Sequence, residues 1–189
     1  MAKQPSIRIF LCLDHHFNWL IHQLDIANAF LHGTLDEEVH MLQPPGFIQF
    51  SNQVCKLKKA LYGLKQAPRA WYSTFSKFLI SQGFANSHSD SSLFVQHTSI
   101  SLLILVIYVE DILVTGSDPA PLAQFIQHMH TVFSMKELGT VSYFLGISVT
   151  ALSHGYFLSQ TKYATELLHK AGLTDCKPCS TPYAVKASS

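Results

Sequence analysis

The stretch LLILVIYVEDILVTG, residues 102–116, places two adjacent acids between two apolar runs. The β-branched and aliphatic residues on both sides predict two strands joined by a tight turn at Glu110 and Asp111. An ionised carboxylate is costly to bury without a partner, so acids in this setting usually face a metal ion or a partner cation. The stretch therefore predicts a β-hairpin with a functional site at its turn.

A third acid has a similar setting. Residues 19–25 predict a short strand that ends at Asp25, and strand ends expose side chains on a rigid backbone. If the fold brings Asp25 to Glu110 and Asp111, the three carboxylates would form an oxygen cage that suits Mg²⁺. The alternative is that each acid is a turn or cap residue, which is a common role for Asp at a strand end.

The composition favours one globular domain over a disordered chain. The sequence has 189 residues, 48% of them hydrophobic, and a net charge of +1. This length is sufficient to bury a core, and the low net charge excludes a strongly basic molecule. Basic residues are nevertheless concentrated in one segment without acids, at Lys56, Lys58, Lys59, Lys65 and Arg69. Such a segment predicts contacts with nucleic-acid phosphates, and a solvated charged face is the alternative.

No signal peptide or membrane span is predicted, because the apolar runs are too short. We therefore expect an intracellular protein, cytoplasmic or nuclear rather than secreted, that makes no membrane contact. Cys176 and Cys179 have the spacing of half a zinc site, but no second ligand pair follows them, so we do not expect metal there. The oligomeric state does not follow from the sequence.

The remaining periodicity predicts an α+β domain in which helices and strands alternate without repeats. Helices are predicted at residues 6–14, 67–82, 118–133 and 163–171, and further strands at residues 38–42, 54–57, 141–149 and 156–158. The third helix has a predicted core-facing stripe, consisting of Leu122, Phe125, Ile126, Met129 and Val132.

Five segments carry a resemblance to a known family. In chain order they are LDIANAFLHGTLDEEVHMLQPPGF (24–47), VCKLKKALYGLKQAPRAWY (54–72), YVEDILVTGSD (108–118), MKELGTVSYFLGI (135–147) and FLSQTKYATELLHKAGLTDCKPCSTP (157–182). The chain strongly resembles the reverse transcriptase of copia-type LTR retrotransposons from about Ser6 to Pro182. The resemblance implies a palm-like α+β domain with part of the fingers, its antiparallel sheet packed on helices, and Mg²⁺, dNTPs and an RNA/DNA template-primer as cofactor, substrates and partner. We expect residues 1–189 to be a single partial domain from which thumb, connection and RNase H are absent.

The resemblance also implies roles for residues near the nucleotide. Asp25 matches the aspartate that holds both metal ions, and Ile26 a position whose backbone carbonyl helps to hold one of them. Phe30 matches the aromatic residue under the sugar of the incoming nucleotide, with plain core packing as the alternative. Gln66 matches a polar residue beside that nucleotide.

Two further roles concern the primer and the leaving group. The turn formed by Tyr143, Phe144, Leu145 and Gly146 resembles the primer grip, in which a hairpin supports the primer 3′ end. Lys136 lies where the family has a lysine proposed to give a proton to the leaving pyrophosphate.

The sequence departs from its family at one metal ligand. The third motif of the family reads Tyr-x-Asp-Asp, and this chain has Glu110 in place of the first Asp. The extra methylene moves the carboxylate by about 1 Å, and a 1 Å error in a catalytic site can cost about a hundredfold in rate. We therefore expect impaired catalysis, and the alternatives are a non-catalytic nucleic-acid-binding module or an inert relic.

Overall fold

The computed structural model describes residues 3–50 and 52–178. The chain forms two compact units that divide between Val141 and Ser142. The first unit contains, in chain order, α1 (Gln4–Phe17), β1 (His22–Ile26), a 3-10 helix (Ala29–His32), β2 (Thr34–Leu42), β3 (Val54–Lys59), α2 (Ala67–Ser81), β4 (Ala85–Asn86), β5 (Leu93–His97), β6 (Leu102–Tyr108), β7 (Asp111–Gly116), α3 (Pro119–Val132) and β8 (Met135–Thr140). The second contains β9 (Tyr143–Phe144), β10 (Ile147–Leu152), β11 (Gly155–Ser159) and α4 (Thr161–Lys170).

The first unit is built on a six-stranded antiparallel sheet with the strand order β4-β5-β6-β7-β1-β8. β2 and β3 form a separate two-stranded antiparallel sheet. The predicted hairpin is confirmed, because β6 pairs with β7 through Tyr108 opposite Asp111. Its two turn residues are Val109 and Glu110, so Asp111 is the first residue of β7 and not a turn residue as predicted. Successive strand residues face opposite sides of a sheet, and β6 is buried on both. This double burial explains its unbroken apolar run.

A large apolar core lies on one face of this sheet. It combines Leu24 and Ile26 of β1 and alternate residues of β6 and β7 with Trp71 and Phe75 of α2 and Phe125 of α3. Proline occupies the first turn of both helices, where its missing N–H costs no hydrogen bond. The core cluster thus holds both helices against the sheet that carries the acids.

The predicted core-facing stripe of α3 is confirmed at four residues, and the prediction for the fifth is wrong. Leu122, Phe125, Ile126 and Met129 are buried, whereas Val132 is 45% exposed. Val132 is the last residue of the helix. The chain leaves the helix there, and the following residue, Phe133, takes the buried position instead.

Three strands of the first unit were not predicted. β4 and β5 pair with each other at one edge of the sheet, and β8 forms the other edge. β8 is exposed at nearly every position, so it lacks the apolar alternation that marks a strand. Its pairing with β1 also contains an irregularity between Gln23 and Leu24.

The second unit is a three-stranded antiparallel sheet, in the order β11-β10-β9, with α4 beside it. The strand predicted over residues 141–149 is in fact two strands, because Leu145 and Gly146 form a turn between β9 and β10. Both residues have positive φ, 50° and 79°, as a two-residue hairpin turn of type I′ requires. Of the helices that the structure describes, none has the length and apolar character needed to cross a bilayer.

Candidate active site

Four side chains stand in one row across four adjacent strands of the six-stranded sheet, β6, β7, β1 and the edge strand β8. Asp25 of β1 is opposite Asp111 on β7 and opposite Lys136 on β8, and Tyr108 of β6 is opposite Asp111 on the other side. Directly opposed residues of antiparallel strands point to the same face, with Cβ atoms about 4.5–5.5 Å apart. The fold therefore brings Asp25 and Asp111 together, although they are 86 positions apart, a separation that only tertiary structure can close.

This row lies on the face opposite the core cluster. Leu24 and Ile26 flank Asp25, and Ile112 follows Asp111, and all three belong to the core. Because side chains alternate along a strand, the acids between them face away from the core. Both Asp25 and Asp111 are half-buried, which leaves their carboxylates accessible from one side.

The turn of the hairpin is held from two directions. Its first residue, Val109, has φ +57°, a backbone region in which a β-branched residue is an outlier. The carbonyl oxygen of Val109 accepts a 2.6 Å hydrogen bond from Nε1 of Trp71 on α2. The carbonyl oxygen of Glu110 accepts a 3.0 Å hydrogen bond from the backbone N–H of Ile26, so the turn is tied to β1 as well.

The surroundings of Asp111 disfavour the ionised form of its carboxyl group. Burial raises the pKa of the Asp111 carboxyl, and the nearby charges of Asp25 and Glu110 raise it further. Each cause disfavours the ionised form. A cation near the three carboxylates would therefore lower their free energy.

The donor chemistry of this turn fits a hard divalent cation, since carboxylate oxygens are the ligands that Mg²⁺ prefers. Within residues 3–50 and 52–178, however, no group of three or more His, Cys, Asp and Glu side chains is arranged so that it could hold a metal ion. The pairing of Asp25 with Asp111 is a fact of the register. The three-carboxylate cage that includes Glu110 stays a prediction.

Comparison with known proteins identifies the family. The model of the family described as "Reverse transcriptase (RNA-dependent DNA polymerase)" matches residues 1–185. The chain belongs to the reverse transcriptase family. This reverse transcriptase domain is 47% identical over 97% of its length to the retrovirus-related Pol polyprotein from transposon RE1 of Arabidopsis thaliana, and 39% identical over 97% to that from transposon TNT 1-94 of Nicotiana tabacum. The resemblance to copia-type elements is thereby confirmed.

Other relatives set the limits of the comparison. The putative transposon Ty5-1 protein YCL074W of Saccharomyces cerevisiae is 33% identical over 84% of the chain, which spans 53% of that protein. The chain spans only 13% of the RE1 polyprotein and 14% of the TNT 1-94 polyprotein. No solved structure matches the chain.

The two side chains predicted to contact the nucleotide lie in different elements of the first unit. Phe30 is in the 3-10 helix, half-buried against the core and 5.6 Å in ring-centroid distance from Tyr62. Gln66 immediately precedes α2, and its carbonyl oxygen accepts a hydrogen bond from the N–H of Ala70. Their roles toward a nucleotide, like that of the Ile26 carbonyl, stay predictions.

The five basic residues of the acid-free segment between Lys56 and Arg69 are all exposed. Three of them, Lys56, Lys58 and Lys59, are in β3, and the other two lie in and before the first turn of α2. Of these five side chains, only Lys56 has an ion pair among the described residues, at 3.0 Å from Glu38. The Lys59 ammonium donates to the His32 carbonyl oxygen at 3.5 Å. Lys58, Lys65 and Arg69 are exposed and can contact an external anion.

Arg69 also lines a cavity beside the hairpin. The cavity has a volume of about 480 Å³, and Tyr72, Ser91 and Tyr108 are among its other lining residues. It brings a guanidinium and two phenol rings beside the end of β6 and the turn residue Val109. These groups suit a phosphate and a base.

The predicted primer-grip residues form a hairpin in the second unit. Phe144 is buried, and Gly146, which has φ +79°, lies in ordinary contact distance of the ring of Tyr163 on α4. The hairpin itself is confirmed by the pairing of Phe144 with Ile147. Its role in holding a primer stays a prediction.

The structure places Lys136 next to Asp25, which the sequence did not predict. As a residue of β8 it stands directly opposite Asp25 and is exposed on the side of the acids. The sequence offered only its family position, because β8 has no apolar alternation. Proton donation by Lys136 stays a prediction. The expectation that the pair Cys176 and Cys179 holds no metal is not tested, since Cys179 lies outside the described residues.

Sequence reasoning missed a buried acid next to the cavity. Asp90 is 2% exposed, and its two oxygens accept hydrogen bonds from Ser92 in its own loop and from Lys3 and Ser6 at the start of α1. The partners in α1 are more than 80 positions away, so no local pattern signals the contact. Asp90 thus joins the N-terminal helix to the loop that leads into β5.

Proposed function

We propose that this reverse transcriptase domain carries the site for RNA-templated nucleotidyl transfer, at a rate limited by Glu110. The observation that carries the proposal is the pairing of Asp25 with Asp111 at the turn that follows β6. Asp25, Glu110 and Asp111 would hold two divalent cations. When bound, such cations steady the attacking and departing oxygens of phosphoryl transfer.

The chain's own residues would bind and orient the reactants. Phe30 follows Asp25 by five positions, and its ring would pack under the sugar of the incoming nucleotide. Gln66 would contact the same nucleotide from the start of α2. Lys136, opposite Asp25 in the register, would donate a proton to the departing pyrophosphate.

Glu110 is the residue that we expect to slow the reaction. Its side chain starts in a turn whose backbone is fixed to Trp71 and Ile26, so the backbone cannot easily retreat to absorb an extra methylene. The carboxylate is therefore displaced by about 1 Å relative to an aspartate, and a displacement of that size can cost about a hundredfold in rate.

Primer extension on an RNA template with Mg²⁺ or Mn²⁺ tests the proposal. We expect weak extension by the wild-type chain and an increase of about a hundredfold in Glu110→Asp. Asp25→Asn is the control, and it should abolish extension in both backgrounds. Robust wild-type extension, or no gain in Glu110→Asp, would contradict the role given to Glu110.

A nucleic-acid-binding module without catalysis is the second candidate, and the exposed cations of β3 and α2 favour it. Binding of a primer-template duplex should weaken with salt, because each phosphate contact contributes roughly 0.9 to the slope of log K against log salt. Replacing Lys58 and Arg69 by Gln should reduce that slope. Binding that survives without primer extension in Glu110→Asp would favour this candidate over the enzyme.

A further inference from the structure

One side chain, the indole of Trp71, donates a hydrogen bond to the backbone of the acidic turn. Trp71 lies in α2, on the core side of the sheet, and is 1% exposed. Its Nε1 donates to the carbonyl oxygen of Val109 at 2.6 Å. Glu110 and Asp111 follow Val109 directly, so the point that Trp71 fixes is one peptide away from the first acid.

The indole plane cannot rotate freely, because other rings surround it. Phe75 and Phe133 lie with ring centroids 5.1 Å and 5.6 Å from Trp71, and His32 lies at 5.8 Å. Phe133 and His32 also contact each other, edge to face, at 5.2 Å. The direction of the Nε1–H bond is therefore set by the packing of the core.

Val109 is the residue that needs such support. A β-branched side chain at φ +57° is sterically disfavoured, and backbone conformations of this kind persist where the surroundings over-determine them. Next to the turn, Asp111 also experiences the negative charges of Asp25 and Glu110. The hydrogen bond from Trp71 holds the Val109 carbonyl against both effects.

We propose that Trp71 is a positioning residue that holds the acidic turn in register with Asp25 through its indole N–H. That the turn held by Trp71 serves catalysis rests on the proposed function. That Trp71 holds the turn does not. Phenylalanine would keep an aromatic ring in the core and remove the donor. The turn would then shift relative to β1, and the hydrogen bond from the Ile26 N–H to the Glu110 carbonyl oxygen would open more often.

Amide and indole hydrogen exchange followed by NMR tests this proposal without metal, nucleic acid or activity. The chain has two tryptophans, and the other one, Trp19, is stacked on Phe17 and its indole N–H has no hydrogen-bond partner among the described residues. In the wild type we expect the indole N–H of Trp71 to exchange at least about tenfold more slowly than that of Trp19. Equal rates would overturn the proposal, even if the variant below fails to fold.

Trp71→Phe separates a positioning role from general stability. The Ile26 amide donates to the turn, whereas the Ser117 amide donates to Leu102 at 2.9 Å at the other end of the same hairpin. We expect Ile26 exchange to accelerate at least about tenfold more than Ser117 exchange in Trp71→Phe, and neither to change in Trp19→Phe. Equal acceleration of both amides would show that Trp71 merely stabilises the core. A chain that passes this test but extends no primer would contradict the proposed function alone.

Discussion

Replacing Asp90 by asparagine should destabilise the first unit far more than the small change in atoms implies. One carboxylate oxygen accepts from the Lys3 N–H at 2.9 Å and from the Ser6 hydroxyl at 2.6 Å, and the other accepts from the N–H and the hydroxyl of Ser92 at 3.0 Å and 2.6 Å. Asparagine keeps the shape but has one acceptor oxygen. At either orientation its NH₂ faces a backbone N–H that then has no acceptor.

The magnitude follows from these four bonds. Hydrogen bonds to charged groups contribute about 1.5–3 kcal/mol each, and a buried donor left without a partner costs about 1–3 kcal/mol. With two of the bonds lost, we expect the free energy of unfolding to fall by about 3 kcal/mol. For a unit of this size that corresponds to a decrease in Tm of about 10 °C.

Thermal and urea denaturation of the wild type and Asp90→Asn measure this effect. Asp118→Asn is a matched control, because Asp118 is an aspartate that also accepts a backbone hydrogen bond near the start of a helix, from the Ala120 N–H at 2.9 Å. Asparagine is as good a cap as aspartate, so we expect a change within about 0.5 kcal/mol there. Equal effects of the two substitutions would refute the reasoning.

The same carboxylate predicts a pH dependence. Burial raises the pKa of Asp90, but the hydrogen bonds from Ser6, Ser92 and Lys3 outweigh it and hold the pKa well below its usual range. An acid with a lowered pKa in the folded state contributes stability above its ordinary pKa of 3.8 and loses it as the pH falls below that value. The difference in stability between the wild type and Asp90→Asn should therefore be constant near neutral pH and shrink in acid.

Two further substitutions test the surroundings of the acidic row. Asp111→Asn should raise the Tm at pH 7, because burial and the charges of Asp25 and Glu110 raise the Asp111 pKa and so destabilise its ionised form; a lower Tm would contradict this. Gly33→Ala should cost about 1–3 kcal/mol of stability, because a Cβ there would lie 2.9 Å from the backbone nitrogen of Trp71 and α2 would have to move. An unchanged Tm in denaturation would contradict that close approach.

The fold was predictable where burial leaves a periodic pattern. The apolar runs on both sides of Glu110 predicted the hairpin, and the spacing of Trp71 and Phe75 predicted α2. Strand β8 was not predictable in this way, because its residues are exposed and a solvent-facing edge strand has no apolar alternation. The prediction that Val132 faces the core was wrong because periodicity does not show where the chain leaves a helix.

The site was predictable only in its chemical components. The acids were evident from their apolar flanks, and the family resemblance joined Asp25 to the other two. The register that places Lys136 beside Asp25 depends on β8, and the support of the turn by Trp71 depends on a contact between residues 38 positions apart. Such long-range contacts leave no local pattern in a sequence.

Mn²⁺ binding tests the central claim most directly, namely that Asp25 and Asp111 act together on a divalent cation. Calorimetric titration should show saturable binding to the wild-type chain. Asp25→Asn and Asp111→Asn should each weaken it at least about tenfold, and Asp36→Asn, which changes an exposed acid of β2, should leave it unchanged. Binding that is indifferent to Asp25 and Asp111, or equally sensitive to Asp36, would contradict the account.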